Sequence, residues 1–142
     1  MAHSYADLHQ IPCTGLRFFT VYGPWGRPDM AYFKFTDAIY NDRAIDIYNH
    51  GHMQRDFTYI DDVTAALEVL IDHIPKANPD WTGVAPDPAS ARAPYRLYNI
   101  GNHTPEKLTD MIAMLEELTG KPAVKNYVDM QPGDVPATYA DI

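Results

Sequence analysis

The stretch LRFFTVYGPWGRPDM, residues 16–30, decides the fold of this chain, because an apolar run stops there abruptly in a loop. Its first seven residues are rich in aromatic and β-branched side chains, which favour a buried strand. Glycine and proline at 23–28 then break the strand. Ligands bind outside the carboxyl edge of α/β sheets, where Thr20, Tyr22 and Arg27 offer polar groups. We therefore predict a ligand site at this edge; a buried strand with an ordinary surface turn is the alternative.

Length and composition indicate one globular domain and disfavour polyanions as its general partners. The chain has 142 residues, 46% of them hydrophobic, and a single cysteine, which fits a reducing, cytoplasmic compartment. Its net charge of -8 disfavours nucleic acid and anionic membranes as partners. No apolar run approaches the ~20 residues that span a bilayer. An anionic ligand needs a local cation in such a chain, so single arginines become informative.

The hydrophobic periodicity predicts alternating helices and strands and hence the α/β class. Helices are expected over 1–9, 30–40, 63–73 and 104–118, and strands over 16–22, 44–48, 55–59, 95–100 and 124–128. The strands at 44–48 and 55–59 are candidates for a hairpin. Asp61 or Asp62 is the expected cap of the third helix. Five prolines within 75–94 predict a long surface loop.

Four motifs, taken in chain order, resemble one enzyme family. They are LRFFTVYGPWGRPDM at 16–30, QRDFTYIDDV at 54–63, YNIGN at 98–102 and QPGDVPATYAD at 131–141. Together they resemble the C-terminal portion of nucleotide-sugar epimerases of the extended short-chain dehydrogenase/reductase superfamily, and most of all the UDP-glucuronate 4-epimerases. The resemblance implies the C-terminal part of an NAD(P)-binding Rossmann-like fold together with its small substrate-binding lobe. It assigns 1–29 to the last part of the Rossmann sheet and 30–142 mostly to the lobe.

The resemblance also implies a function for the parent protein. Such enzymes use bound NAD to interconvert UDP-glucuronate and UDP-galacturonate at C4 through a 4-keto intermediate, and they often form homodimers. Related decarboxylases and dehydratases share the fold, so a fragment of one of these is an alternative. A non-catalytic module that binds nucleotide sugars is the other alternative.

Two motifs that the family carries are not found in the 142 residues. Gly23 and Gly26 have the spacing of a Gly-rich dinucleotide loop, but Asp29 stands at the third glycine position. No tyrosine is followed four residues later by lysine, which is the spacing of the family's catalytic pair. We therefore expect the chain to be a fragment of a longer protein, without the N-terminal dinucleotide-binding part and inactive alone.

The matching positions imply roles at the sugar and the diphosphate. Arg27 is expected to hold the sugar carboxylate, since a guanidinium grips a carboxylate bidentately, and Thr20 is expected to contact the sugar. Arg55 is expected to bind the diphosphate; a surface ion pair with Asp56 or Asp62 is the alternative. A solvated loop arginine is the alternative for Arg27.

The resemblance implies four further contacts. Asp134 is expected to accept the ribose hydroxyls, although Gln131 replaces a second phosphate-binding arginine that galactose-type epimerases usually have. Met30 and Ala31 are expected to lie on one side of the uracil, and Ile47 and Tyr48 on the other. Val21 and Tyr22 are expected to lie near the nicotinamide.

Two other pairs of polar residues could suggest chemistry, but simpler interpretations are favoured. His50 and His52 lie in a glycine turn without a matching carboxylate or cysteine set, so we predict solvated loop residues and no metal site. The pair Asp61-Asp62 could suggest acid–base work, but a helix cap explains it more simply.

Overall fold

The computed structural model describes residues 1–142 as four helices and eight strands. The helices are α1 (Ala2–His9), α2 (Ala31–Tyr40), α3 (Ile60–Ile71) and α4 (Leu108–Thr119), and a 3₁₀ turn spans Tyr48–Gly51. The strands are β1 (Cys13–Phe18), β2 (Thr20–Tyr22), β3 (Ala44–Ile47), β4 (Gln54–Tyr59), β5 (Tyr95–Ile100), β6 (Pro105–Lys107), β7 (Val124–Tyr127) and β8 (Ala137–Thr138). The predicted α/β class is confirmed, and 75–94 contains no helix or strand, as predicted.

Most strand pairs are parallel and join segments that are distant in sequence. β1 pairs with β5, β2 with β4, and β3 with β7, all in parallel. β4 also pairs with β6, antiparallel, and with β8, parallel. The strands β2, β3 and β4 each supply residues of the site described below.

The strand predicted over 16–22 is split in two at Phe19. β1 keeps β5 as its neighbour up to Phe18, whereas β2 pairs with β4. At the junction the Phe19 amide still bonds to the Ile100 carbonyl at 3.4 Å, and the Val21 amide turns back to the Phe19 carbonyl at 3.0 Å. The change of partner brings Thr20 level with Phe57 on β4. Thr20 and Arg55 thereby come to line the same cavity, which is described below.

The predicted hairpin of 44–48 with 55–59 is wrong. β3 pairs with β7 and β4 pairs with β2, so the two strands never meet in a ladder. The intervening residues form a 3₁₀ turn in which Asn49 and His50 both have positive φ. A tight two-residue hairpin turn is therefore absent, and each strand finds a more distant partner.

Two predicted helix starts are also wrong. The residues Thr104 and Pro105 do not open a helix, because Pro105–Lys107 forms β6 along β4 and the helix begins only at Leu108. At α3 the helix begins at Ile60, so Asp61 and Asp62 lie inside its first turn and no side chain caps it. Their negative charges still interact favourably with the positive N-terminal end of the helix dipole.

The buried core is small and lies mainly between α2, β3 and α4. Its larger cluster contains Ala38, Ile45, Ile47 and Ile112. Only 15 of the 142 residues are buried, so large apolar side chains remain at the surface, among them Leu8 on α1 and Phe18 on β1. None of the four helices combines the length and the apolar character needed to cross a membrane.

Candidate functional site

A cavity of about 210 Å³ lies where β2, α2, β3 and β4 converge with the loop at 134. Its walls come from segments that are far apart in sequence. The lining residues are Thr20, Met30, Ala31, Tyr32, Phe35, Asp46, Tyr48, Met53, Arg55, Phe57, Leu108 and Asp134. We call this space the first cavity.

The first cavity collects most of the residues singled out from the sequence. Six of the eight substrate-contact candidates line it, namely Thr20, Met30, Ala31, Tyr48, Arg55 and Asp134. Ile47 does not, because side chains alternate along β3 and Ile47 points into the core, where it is 1% exposed. Arg27 lies outside this cavity, in the neighbouring one.

Arg55 and Asp134 form an ion pair inside the first cavity. Arg55 Nη2 donates to Asp134 Oδ1 at 3.2 Å, and Arg55 Nη1 donates to the Gln54 carbonyl at 2.8 Å. The two side chains are 25% and 35% exposed. The expected alternative, a surface pair of Arg55 with Asp56 or Asp62, is wrong, since the partner is the other candidate of the site. The cation is fixed at the wall and keeps part of its surface open to the cavity.

A second cavity, of about 530 Å³, adjoins the first one at Met30, which lines both. It is lined mainly by apolar and aromatic side chains, and it contains the predicted nicotinamide neighbours Val21 and Tyr22 together with Arg27. The Tyr22 ring packs edge-on against Phe57, with 6.3 Å between the ring centroids. The aromatic wall is thus continuous with the first cavity, which Phe57 also lines.

Arg27 stands at the exposed rim of the second cavity. Its side chain is 74% exposed, and its Nε lies 3.5 Å from Asp29 Oδ1. Its Nη2 donates to the Met30 sulfur at 3.3 Å, which is a weak hydrogen bond. The guanidinium therefore has donors available for an anion that enters beside Met30.

Sequence reasoning missed several lining residues that simple periodicities could have found. Phe57 follows Arg55 by two positions on one strand, and Asp46 precedes Tyr48 by two, so each shares a face with its predicted neighbour. Phe35 follows Ala31 by four positions on α2. Met53 and Leu108 are different, because their proximity comes from a long-range bond of the Leu108 amide to the Met53 carbonyl at 2.9 Å.

Tyr32 was also missed; it lines the first cavity and bonds to Val21, which lines the second. Its hydroxyl donates to the Val21 carbonyl at 3.4 Å across eleven residues of sequence. Burial raises the pKa of the Tyr32 phenol above its usual value, and the nearby Arg27 acts in the opposite direction. Tyr32 therefore stays protonated at neutral pH and can donate a hydrogen bond.

Of the two histidines predicted to be solvated, one makes a contact through its ring. His50 Nε2 lies 3.0 Å from Asp129 Oδ1, and both groups are largely exposed. The His52 carbonyl accepts a hydrogen bond from the Asn49 side chain at 2.8 Å.

The combined arrangement suits a ligand that has an anionic centre, hydroxyl groups and a flat ring. Arg55 supplies a cation, and Asp134 supplies carboxylate acceptors. Tyr48, Phe35 and Phe57 offer apolar ring faces in the same cavity.

Comparison with known proteins identifies relatives that carry the whole of this chain. The sequence model of the NAD dependent epimerase/dehydratase family matches residues 1–101. Protein CapI of Staphylococcus aureus is 58% identical over 142 residues, which are 100% of this chain and 42% of that protein. A probable UDP-glucuronate 4-epimerase of Rhizobium meliloti is 51% identical over 144 residues, 99% of this chain and 41% of that protein.

The structural comparison agrees with the sequence comparison. The crystal structure of UDP-glucuronic acid 4-epimerase from Bacillus cereus, in complex with UDP-glucuronic acid and NAD, superimposes with a TM-score of 0.79 at 34% identity. The match covers 99% of this chain and 40% of that one. The chain therefore spans about two fifths of the length of the relatives that it matches.

Proposed function

This chain belongs to the NAD dependent epimerase/dehydratase family, and from that premise we propose that it forms the UDP-sugar-binding part of an NAD-dependent 4-epimerase. The reaction proposed for the whole protein is the interconversion of UDP-glucuronate and UDP-galacturonate at C4. A probable UDP-glucuronate 4-epimerase that is 51% identical supports this choice of sugar. Residues 1–29 would complete the Rossmann sheet, and residues 30–142 would mostly build the lobe around the nucleotide sugar.

The observation that carries the proposal is the paired Arg55 and Asp134 in one cavity with apolar rings. Arg55 would turn its free donors to the diphosphate, because a guanidinium binds two phosphate oxygens at once. Asp134 would accept hydrogen bonds from the ribose hydroxyls. Met30, Ala31 and Tyr48 would enclose the uracil, and no side chain caps α2 at Met30, which leaves the first amides of that helix open to a ligand.

The second cavity would hold the sugar. Thr20 lies at the start of β2 in the first cavity, and Arg27 stands at the rim of the second, so a sugar attached to the diphosphate would extend from one toward the other. Arg27 would bind the C6 carboxylate. Fixing that group matters chemically, because a ketone at C4 is β to the carboxylate, and an unrestrained β-keto acid loses CO₂.

The second cavity would also hold one end of NAD. Val21, Tyr22 and Phe19 give it a largely apolar wall, which suits the flat nicotinamide ring. Bound NAD would accept a hydride from the sugar carbon and return it. Val21 and Tyr22 would orient the ring at the end of β2 and exclude water from its face.

The proton transfer at the sugar hydroxyl would come from residues outside these 142. No tyrosine of the chain has a lysine four positions later. Among the tyrosines in the cavities, Tyr32 donates to a carbonyl, Tyr22 packs on aromatic rings, and Tyr48 is assigned to the uracil. We therefore propose that this chain binds the nucleotide sugar without epimerising it.

Calorimetric titration of the chain with UDP, UDP-glucose and UDP-glucuronate tests the proposal. We expect saturable binding of UDP, and a tighter binding of UDP-glucuronate than of UDP-glucose by about 10-fold, the size of one charge-assisted hydrogen bond. A folded sample that binds none of the three contradicts the proposed nucleotide site. Equal affinity for the two sugars contradicts the proposed carboxylate contact and leaves the nucleotide site intact.

A further inference from the structure

Asp56 is a fully buried carboxylate next to Arg55, and only backbone amides hold it. Its side chain is 0% exposed. Oδ1 accepts a hydrogen bond from the Asn102 amide at 2.9 Å. Oδ2 accepts from the His103 amide and from the Ala140 amide, each at 2.9 Å. A carboxylate with three such donors stabilises the segments that supply them, because each bond compensates for burial of the charge.

One of these segments carries Asp134. Residues 134–140, which we call the 134–140 segment, run beside β4 and bond to it along their length. The Gln54 amide donates to the Pro136 carbonyl at 2.8 Å, and β8 lies parallel to β4 with Arg55 opposite Thr138. The Ala140 amide, bound to Asp56, closes the segment at its far end.

The fit at that far end is close. A Cβ placed on Gly101 would lie 2.3 Å from Ala140 Cβ and 3.0 Å from Asp56 Oδ2. Glycine at 101 thus lets Ala140 reach the buried carboxylate. The His103 ring adds a second bond, because its Nδ1 lies 2.6 Å from the Ala140 carbonyl.

Strand alternation explains how one strand serves both ends of the segment. Neighbouring side chains on β4 point to opposite faces, so Arg55 faces the first cavity while Asp56 faces the interior. Arg55 contacts Asp134 at the beginning of the segment, and Asp56 binds Ala140 at its end.

We infer that Asp56 is a positioning residue of the nucleotide site: by binding the Ala140 amide, its buried carboxylate holds the 134–140 segment on β4 and so keeps Asp134 at Arg55. The inference rests on the proposed function, because Asp134 needs to be positioned only if it binds the ribose. Asp56 itself touches no ligand.

The test is the variant Ala140→Pro, which removes the amide that Asp56 binds and leaves Asp56 and Asp134 unchanged. Ile142→Pro is the matched control, because the Ile142 amide makes no hydrogen bond. We expect A140P to weaken UDP binding by about 10-fold, as if the Asp134 contact were lost, and I142P to leave the affinity unchanged. An unchanged affinity in A140P overturns the inference.

A double-mutant cycle separates positioning from a general loss of structure. In a chain that already carries Asp134→Ala, A140P should cause no further loss, since its effect passes through Asp134. Independent losses that multiply in the double variant overturn the inference. If A140P does not fold, Gly101→Ala displaces Ala140 by steric contact and enters the same cycle.

Hydrogen exchange measured without ligand keeps the two proposals distinguishable. The Asp134 amide bonds to the Gln131 carbonyl at 3.1 Å, so it reports the order of the loop that carries Asp134. We expect its protection to fall in A140P and to stay unchanged in I142P. Absence of UDP binding by the unaltered chain counts against the proposed function, whereas unchanged protection of Asp134 in A140P refutes the positioning role of Asp56.

Discussion

Replacing Arg55 with methionine should weaken nucleotide binding far more than it weakens the fold. The substitution keeps an unbranched stem and removes the guanidinium. That group donates to the Gln54 carbonyl at 2.8 Å and to Asp134 at 3.2 Å, and both members of the ion pair are partly exposed. A pair of this kind contributes about 1 kcal/mol or less to the free energy of unfolding.

The loss in binding is larger because the ligand itself carries charge. A charge-assisted bond to a phosphate contributes about 1.5–3 kcal/mol, which corresponds to a loss of roughly 10- to 100-fold in affinity. The freed Asp134 adds to the loss, since its carboxylate then faces the diphosphate without a cation between them. We therefore expect the dissociation constant of UDP to rise by about 30-fold or more in R55M.

Calorimetric titration with UDP and urea unfolding of the same preparations measure the two effects separately. Arg96→Met is the matched control: Arg96 pairs with Asp87 at 3.6 Å, the two side chains are 43% and 47% exposed, and neither lines the first cavity. It should lose as little stability as R55M and should keep its UDP affinity. Equal affinities of R55M and the unaltered chain for UDP would refute the assignment of Arg55 to the diphosphate.

Three further outcomes are expected. Arg27→Ala should reduce the affinity for UDP-glucuronate by about 10-fold and leave UDP-glucose unchanged in calorimetric titrations, and equal losses would remove Arg27 from carboxylate recognition. Gly23→Ala should lower the free energy of unfolding by about 1–3 kcal/mol in urea, because φ is +127° and the added Cβ would lie 2.7 Å from Ile60 Cγ2; Gly83→Ala, in open space, is the control. The hydrogen bond from Lys125 holds the pKa of Glu116 below its usual 4.5. The ionised Glu116 carboxylate therefore stabilises the fold fully above pH 4.5, and this stabilisation is lost as the pH falls through the lowered pKa. Glu116→Gln should therefore be less stable than the unaltered chain at pH 7, with the difference shrinking on acidification, and a constant difference would contradict this.

The α/β class and most of the helices and strands could be predicted from the sequence, because hydrophobic periodicity and turn residues are local signals. The sequence could not reveal which strands pair. The run at 16–22 is continuous in hydrophobicity, yet at Phe19 the chain changes its strand neighbour from β5 to β4, and no local feature of the run marks the change. The helix predicted from residue 104 shows the same limit, because Pro105–Lys107 pairs with β4 and the helix begins only at Leu108.

Cavity residues were predicted from the sequence when their type suggested a role. They were missed when their role depends on which face of a strand or helix the side chain occupies. Arg55 and Asp134 were identified by their charge and by the resemblance, but their mutual contact spans 79 positions and has no sequence signal. Ile47 was chosen from the resemblance, and in the structure its side chain is buried in the core while its neighbour Asp46 lines the cavity.

The chain is acidic overall, whereas the candidate site contains the cation Arg55. The two charges act over different distances. The chain carries a net charge of -8, which repels anions at long range. At physiological ionic strength that repulsion is screened within about 8 Å, whereas a phosphate in contact with Arg55 would lie at hydrogen-bond distance in a partly buried cavity, where screening is weak. The proposed nucleoside diphosphate would be small enough to contact Arg55 while its base packs against the apolar wall, so the net negative charge would not prevent the proposed binding.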